Sequence, residues 1–267
     1  MTSSALSVRP RGTAHGYGFT HAARMEWIKL RSLRSTWWAL CAVVAGMIAI
    51  GVVTMANTKA PSADKAAGFD PTNNVLAGVA LGQLVVGVIG VLLVTGEYSS
   101  GAMRSTLAAV PRRPLVLGAK AAVFGTVTLV LSEVVAFVTF LVGRAALAPE
   151  IPQPSLTDGG VLRAVWMSGA YLALIAVLAV GIGALTRHTA SGIGAVVGLL
   201  FVVPAVLAGA TGTAVAKFFP TMIAGNSLAV SRPMPEMLTP WAGFGLLVLY
   251  TLLVYGAGVR MLVKRDA

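Results

Sequence analysis

The sequence is short of charge, and shorter still of acid. Only 11% of its 267 residues are charged, with nine acidic side chains against twenty lysines and arginines. A soluble globule of this length needs a polar coat. A chain that is 57% hydrophobic, with a mean hydropathy of +0.83, cannot provide one and reads as an integral membrane protein. Cysteine is just as scarce. Cys41 is the single one and lies inside an apolar run, which excludes an intramolecular disulfide; with no neighbour to stabilise a thiolate, it reads as a packing residue. Three catalytic signatures are also missing: G-x-x-x-x-G-K-[ST], H-E-x-x-H and G-x-S-x-G. His15, His21 and His188 are too far apart for metal-ligand spacing. The chain therefore reads as neither an ATP-binding protein nor a metalloenzyme or serine hydrolase, with no catalytic residue, no metal and no cofactor of its own.

What is present is a series of six apolar runs, at about 37–55, 75–95, 115–141, 164–185, 191–210 and 241–262. Each is near the roughly 20 residues that cross a bilayer, and backbone groups in hydrocarbon must pair within their own segment, so all six are expected to be helices. The first run follows 36 residues and is too long for a signal-peptide core, so it reads as a span rather than a cleaved leader. The fold class is all-α integral membrane: a flexible tail at 1–18, an interfacial helix at 19–36 and a six-helix domain at 37–267. In the interfacial helix Ala23, Trp27, Leu30 and Leu33 form an apolar stripe, with Arg24, Lys29, Arg31 and Arg34 at headgroup level. With the N-terminus inside, fourteen lysines and arginines fall on the cytoplasmic side, among them Arg9, Arg11, Arg187 and Arg265. Six fall outside: Lys59, Lys65, Arg144, Arg163, Lys217 and Arg232. That excess places both termini in the cytoplasm of a multi-pass cell-membrane protein. Asp64, Asp70, Glu150, Asp158 and Glu236 are all outside.

Between the second and third runs lies a polar interlude, EYSSGAMRSTLAAVPRRPLVLGAK, from Glu97 to Lys120. Ser99 or Ser100 is placed to cap a short helix on which Met103, Leu107 and Val110 share one face. Pro111 should stop that helix, and Pro114 suits the first turn of the next. The residues Glu97, Ser100, Gly101, Arg104, Thr106, Leu107, Pro111, Arg113, Ala119 and Lys120 resemble the first cytoplasmic loop of ABC-2 type permeases, the membrane subunits of bacterial ABC exporters. Ala102 and Met103 depart from the Thr and Leu of many members. The pattern Glu26, Lys29, Leu30, Arg31, Ser32, with Trp27, is similar to the elbow helix of the same family. The resemblance implies a coupling helix resting on a separate ATPase, with Glu97, Ser100, Gly101, Met103, Arg104, Leu107, Arg112 and Arg113 as the contact set. It also implies a dimer of permease chains, homodimeric in the simplest case, two ATPase copies, and ATP and Mg on those ATPases.

Other positions are read on their own chemistry. Glu133 lies about 20 Å along the third span from Lys120 at 1.5 Å per residue. A charge there is costly, so it is expected either on a transport path or as a neutral carboxyl held inside the bundle. Lys120 is expected to snorkel to the headgroups. Pro204 should break and kink the fifth span, while Gly192, Gly194 and Gly198, like Gly78 and Gly82, allow close helix approach. The stretch 215–240, broken by Pro220, Gly225, Pro233 and Pro235, reads as a partial re-entrant or interfacial helix. Gln83, Ser168 and Tyr171 are polar positions suited to an amphiphilic cargo, too few to name it. No internal repeat is evident, which disfavours an inverted-repeat carrier. The expectation is an exporter permease that interacts with membrane lipid and not with nucleic acid; an anchor or sensor subunit and a proton-coupled carrier remain the alternatives.

Overall fold

The computed structural model describes residues 18–59, 70–110, 112–149, 151–230 and 236–264. The expected tail, the helix stop at Pro111, and Lys65, Asp64, Glu150, Arg232, Pro233, Pro235 and Arg265 lie outside them. Among the described residues every regular element is helical. In chain order these are α1 (Phe19–Ser32), α2 (Arg34–Ala56), α3 (Pro71–Val75), α4 (Val79–Ser99), α5 (Ala102–Ala109), α6 (Arg113–Ala145) and α7 (Val161–Thr186). They are followed by α8 (Thr189–Val197), α9 (Val203–Thr211), α10 (Thr213–Ala216), α11 (Pro220–Leu228) and α12 (Pro240–Lys264). A short 3-10 turn, Leu76–Gly78, joins α3 to α4, and a π turn, Gly198–Val202, joins α8 to α9. Six of the resulting rods are long and apolar enough to cross a membrane: α2, α3 with α4, α6, α7, α8 with α9, and α12. They are the six runs expected from the sequence.

The bundle is built around α7, which packs against α4, α6 and α12. Small residues make this possible. A Cβ on Gly181 would lie 3.0 Å from the Tyr255 backbone, and one on Gly258 3.0 Å from the Gly181 carbonyl, so α7 and α12 meet almost backbone to backbone. Gly78 behaves likewise, its would-be Cβ falling 2.6 Å from the Met47 carbonyl oxygen. In the fifth span the glycines divide: Gly192 faces Val91 inside the bundle, whereas Gly194 and Gly198 open outward with no neighbour. Two apolar clusters fill the interior. One gathers Met55, Val75, Phe140, Ile151 and Leu228 at the end that carries α3 and α11; the other gathers Leu30, Leu40, Met103, Phe124 and Leu262 at the end that carries α1 and α5.

At the α3 end, the stretch expected at 215–240 to carry a partial helix holds α11. Arg163 of α7 donates to the Ser227 carbonyl at 2.7 Å and the Ala229 carbonyl at 2.9 Å, closing the C-terminal turn of α11. Asp70, which caps α3 through the Asn73 N–H, also accepts the Val230 N–H at 2.5 Å. At the opposite end, Arg113 donates to the Leu262 carbonyl at 3.1 Å and Arg187 to that of Met261 at 3.2 Å. Two guanidinium groups therefore cap the C-terminus of α12, where the helix presents free carbonyls and negative potential.

Candidate functional site

The polar interlude folds as a helix, a tight turn, a short helix and a second turn, and its local sequence explains each part. α4 closes at Ser99, and Ser100 follows as its C-cap. The serine hydroxyls do not cap α5 as expected: both donate back to the Gly96 carbonyl, at 3.1 and 2.8 Å. The turn into α5 is made by Gly101 at φ 73°, a left-handed conformation that a side chain resists. α5 then runs to Ala109, and Pro114 sits in the first turn of α6 as expected.

The face that α5 turns inward is Met103 and Thr106, followed by Val110. Met103 is only 2% exposed and packs among Leu30, Leu40 and Phe124, so it fills this chain's own core and is not free to enter a socket on a partner. Leu107 is partly buried against the same cluster. Arg113 is also drawn inward, onto the end of α12. What remains outward on this turn is Ser100, Gly101, Arg104, Ser105, Ala108, Ala109 and Arg112.

Beneath α5 lies the main polar feature of this end of the bundle. Lys29 of α1 donates to Glu26 at 3.0 Å, to Glu97 of α4 at 2.9 Å and to Thr106 of α5 at 3.2 Å. Lys120 of α6 donates to Glu26 at 2.5 Å and to Glu97 at 2.7 Å. Two lysines and two glutamates thus alternate around a closed ring that ties four elements together. Burial works against the Lys29 ammonium, but the Glu26 and Glu97 carboxylates outweigh it and hold its pKa above the usual lysine value. Lys120 is 3% exposed, so it does not snorkel to the headgroups; two carboxylates satisfy its charge inside.

The ring also adds an inward face to the elbow. That face is Ala22, Glu26 and Leu30; of the expected apolar stripe Leu30 turns inward, while Trp27 and Leu33 stay outward, 40% and 44% exposed. A carboxylate can occupy that face because α1 packs on α6, where Lys120 meets it, rather than lying wholly on lipid. The helix also ends earlier than expected, at Ser32, and Arg34 already belongs to the first span. Arg31 points outward. Glu26, Lys29 and Glu97 were identifiable from the sequence as site residues; Thr106 and Lys120 belonged to the loop motif but were given no part in the site. The available signal was electrostatic, since Glu26 and Glu97 are the only two acids in residues 19–113 that fall on the α1 and α5 end of the bundle.

A family model described as ABC-2 family transporter protein matches residues 22–203, from the first turn of α1 to the first residue of α9. The chain belongs to the ABC-2 transporter family. It is accordingly the permease of an ABC-type transporter, a multi-pass membrane subunit that is not itself catalytic, and membership implies an ABC ATPase as its partner. No curated protein matches the chain. The matched residues contain the whole ion ring and α5, but end before α11 and α12.

The remaining candidates lie within the ABC-2 bundle. Glu133 of α6 is half-buried against α7, where a Cβ on Gly169 would meet its carboxyl carbon at 2.5 Å. Neither of its oxygens has a partner of good hydrogen-bonding geometry, although the backbone of Ala170 stands beside them. Gln83, Ser168 and Tyr171 are all buried and bonded within the chain. Tyr171 pairs with Gln83, and Ser168 donates to the Val165 carbonyl at 2.6 Å, so these three consolidate the bundle and do not line an open path.

Proposed function

We propose that this chain is the permease of an exporter and that its ATPase docks on the end carrying α1 and α5, taking the outward Arg104, Ser105 and Arg112 as contacts. The observation that carries this reading is the ion ring. It joins α1, α4, α5 and α6 into one unit, so that a displacement delivered to α5 reaches two membrane spans without being lost in a flexible loop. Ser100 and Gly101 shape the turn, while Glu26, Glu97 and Lys29 transmit the displacement. Met103, Leu107, Leu30 and Arg113 hold the unit together from within.

The active assembly is proposed to hold two copies of this chain and two ATPases, with ATP and Mg on the ATPases. Both termini face the cytoplasm of the cell membrane, as the lysine and arginine bias suggests. Glu133 is proposed to face the path in that dimer, since an unpartnered carboxyl in a span is otherwise hard to accommodate.

The test is co-purification of the tagged chain from native membranes, followed by ATPase assay of what accompanies it. A co-purifying ATPase whose activity uncouples from transport in Arg104→Glu is the expected result. A chain that emerges alone and inert with ATP would overturn the exporter reading in favour of an anchor subunit or a proton-coupled carrier.

A further inference from the structure

The fifth span contains a carbonyl that its own helix cannot satisfy in α register. In an α-helix the carbonyl of residue 200 is closed by the N–H of residue 204. Residue 204 is proline and has no N–H. The ladder yields at this point: Gly198–Val202 form a π turn, and α9 restarts with Pro204 in its first turn. Leu200 is 1% exposed, so its carbonyl lies in the interior, where a missing partner is costly.

A donor for it comes from elsewhere in the chain. The Thr221 hydroxyl, in the first turn of α11, donates to the Leu200 carbonyl. Thr221 also stands within reach of the Tyr171 hydroxyl on α7, which is itself bonded to Gln83 on α4. α11 is therefore held at both ends: Arg163 grips its C-terminal carbonyls from α7, and Thr221 fixes its first turn to the kink of the fifth span.

We propose that Thr221 is the surrogate donor for the carbonyl opened by Pro204, and that this bond is a latch seating α11 over the fifth span. The two ends of α11 are not equivalent. Arg163 holds its C-terminus through two bonds from a guanidinium, whereas the first turn is held through one neutral hydroxyl, so α11 lifts first at Thr221. Lifting it uncovers a carbonyl that no α-register N–H can reclaim, so opening requires water to enter and closing requires it to leave. Thr221 is a positioning residue in this scheme. That α11 covers the mouth of a transport path rests on the permease reading above; the latch itself does not.

The test uses the full chain in lipid nanodiscs, in a Cys41→Ser background with Ala224→Cys on the buried face of α11, and reads the rate of maleimide labelling. Thr221→Val should raise that rate about tenfold, as expected for loss of one buried hydrogen bond. Thr221→Ser, which keeps the hydroxyl, should label like the parent. Adding Pro204→Ala to Thr221→Val restores the missing N–H and should return labelling to near the parent rate. If Thr221→Val does not fold, recovery of folding by Pro204→Ala supports the latch in the same way. A parent-like rate in Thr221→Val, or failure of Pro204→Ala to suppress its effect on labelling or folding, would overturn it. No transport is measured, so a negative result leaves the permease reading standing, and a failed ATPase co-purification leaves the latch standing.

Discussion

In the ring formed by Lys29, Glu26, Lys120 and Glu97, the Lys120 and Glu26 side chains are only 4% exposed, so removing either one strands a charge that water reaches poorly. Breaking such a pair from one side costs about 3–5 kcal/mol, whereas exchanging whole pairs for apolar groups is often neutral. Lys120→Met should therefore lower the melting temperature of the solubilised protein sharply, and adding Glu26→Gln should cost much less than the sum of the two single changes. A double-mutant cycle on Tm checks this, and strict additivity would contradict the ring. Alkaline pH probes the same group from the other side. The Lys29 pKa is raised in the folded chain, so its contribution is complete below about 10.4, the unfolded lysine value, and fades as pH rises through the folded one. Thermal stability should fall on that limb in the parent and fall less steeply in Lys29→Met. Glu133 offers a steric counterpart: in Gly169→Ala the new Cβ meets only the flexible end of Glu133, so the carboxylate should swing aside with little loss in Tm.

At the scale of elements, what was legible depended on which physical rule governed each part. Span number and placement follow from apolar length, a rule that needs no tertiary information, and so α2, α4, α6 to α9 and α12 appear where the hydropathy puts them. α1 was visible as a helix, but its face was not. A helix placed in the interface is assigned its apolar stripe by default, and only the position of Lys120 on another element makes Glu26 the inward residue. The same applies to α5, where serine propensity suggested a cap and the actual solution is a positive-φ glycine, because the α4 carbonyls take up both hydroxyls. Gly101→Val should accordingly weaken the α4 to α5 turn by about 1–2 kcal/mol, the cost of left-handed backbone for a side chain. Faster amide exchange across Ala102–Ala109, with α6 unchanged, is the expected signature.

For the whole molecule, the least covered span is the fifth, with Gly194 and Gly198 open and Val202, Val203 and Val206 exposed. An apolar outer face is natural against lipid, and its open glycines also permit close approach of a second copy. If the proposed dimer meets on this face, Gly198→Trp should shift the solubilised protein from dimer to monomer without lowering its Tm, as read by native mass spectrometry; an unchanged mass distribution would remove this face as the seam. Glu133→Gln should fold normally and change transport, and unaltered transport would remove Glu133 from the proposed path. The substrate was not legible in the sequence for a reason the fold makes plain: Gln83, Ser168 and Tyr171, the polar residues that invited a cargo assignment, are spent on internal hydrogen bonds.

The ring sums to zero charge, and its Lys120–Glu26 pair, with each side chain only 4% exposed, is shielded from the aqueous ions that surround Arg104 and Arg112. Exposed pairs weaken as the Debye length shrinks toward about 3 Å at 1 M salt, whereas buried pairs hardly respond. A high-salt wash of membranes should therefore release a partner held by the outward arginines while leaving α1 seated on α6. The bare permease left after such a wash would keep its docking face intact and ready to be reloaded with its partner.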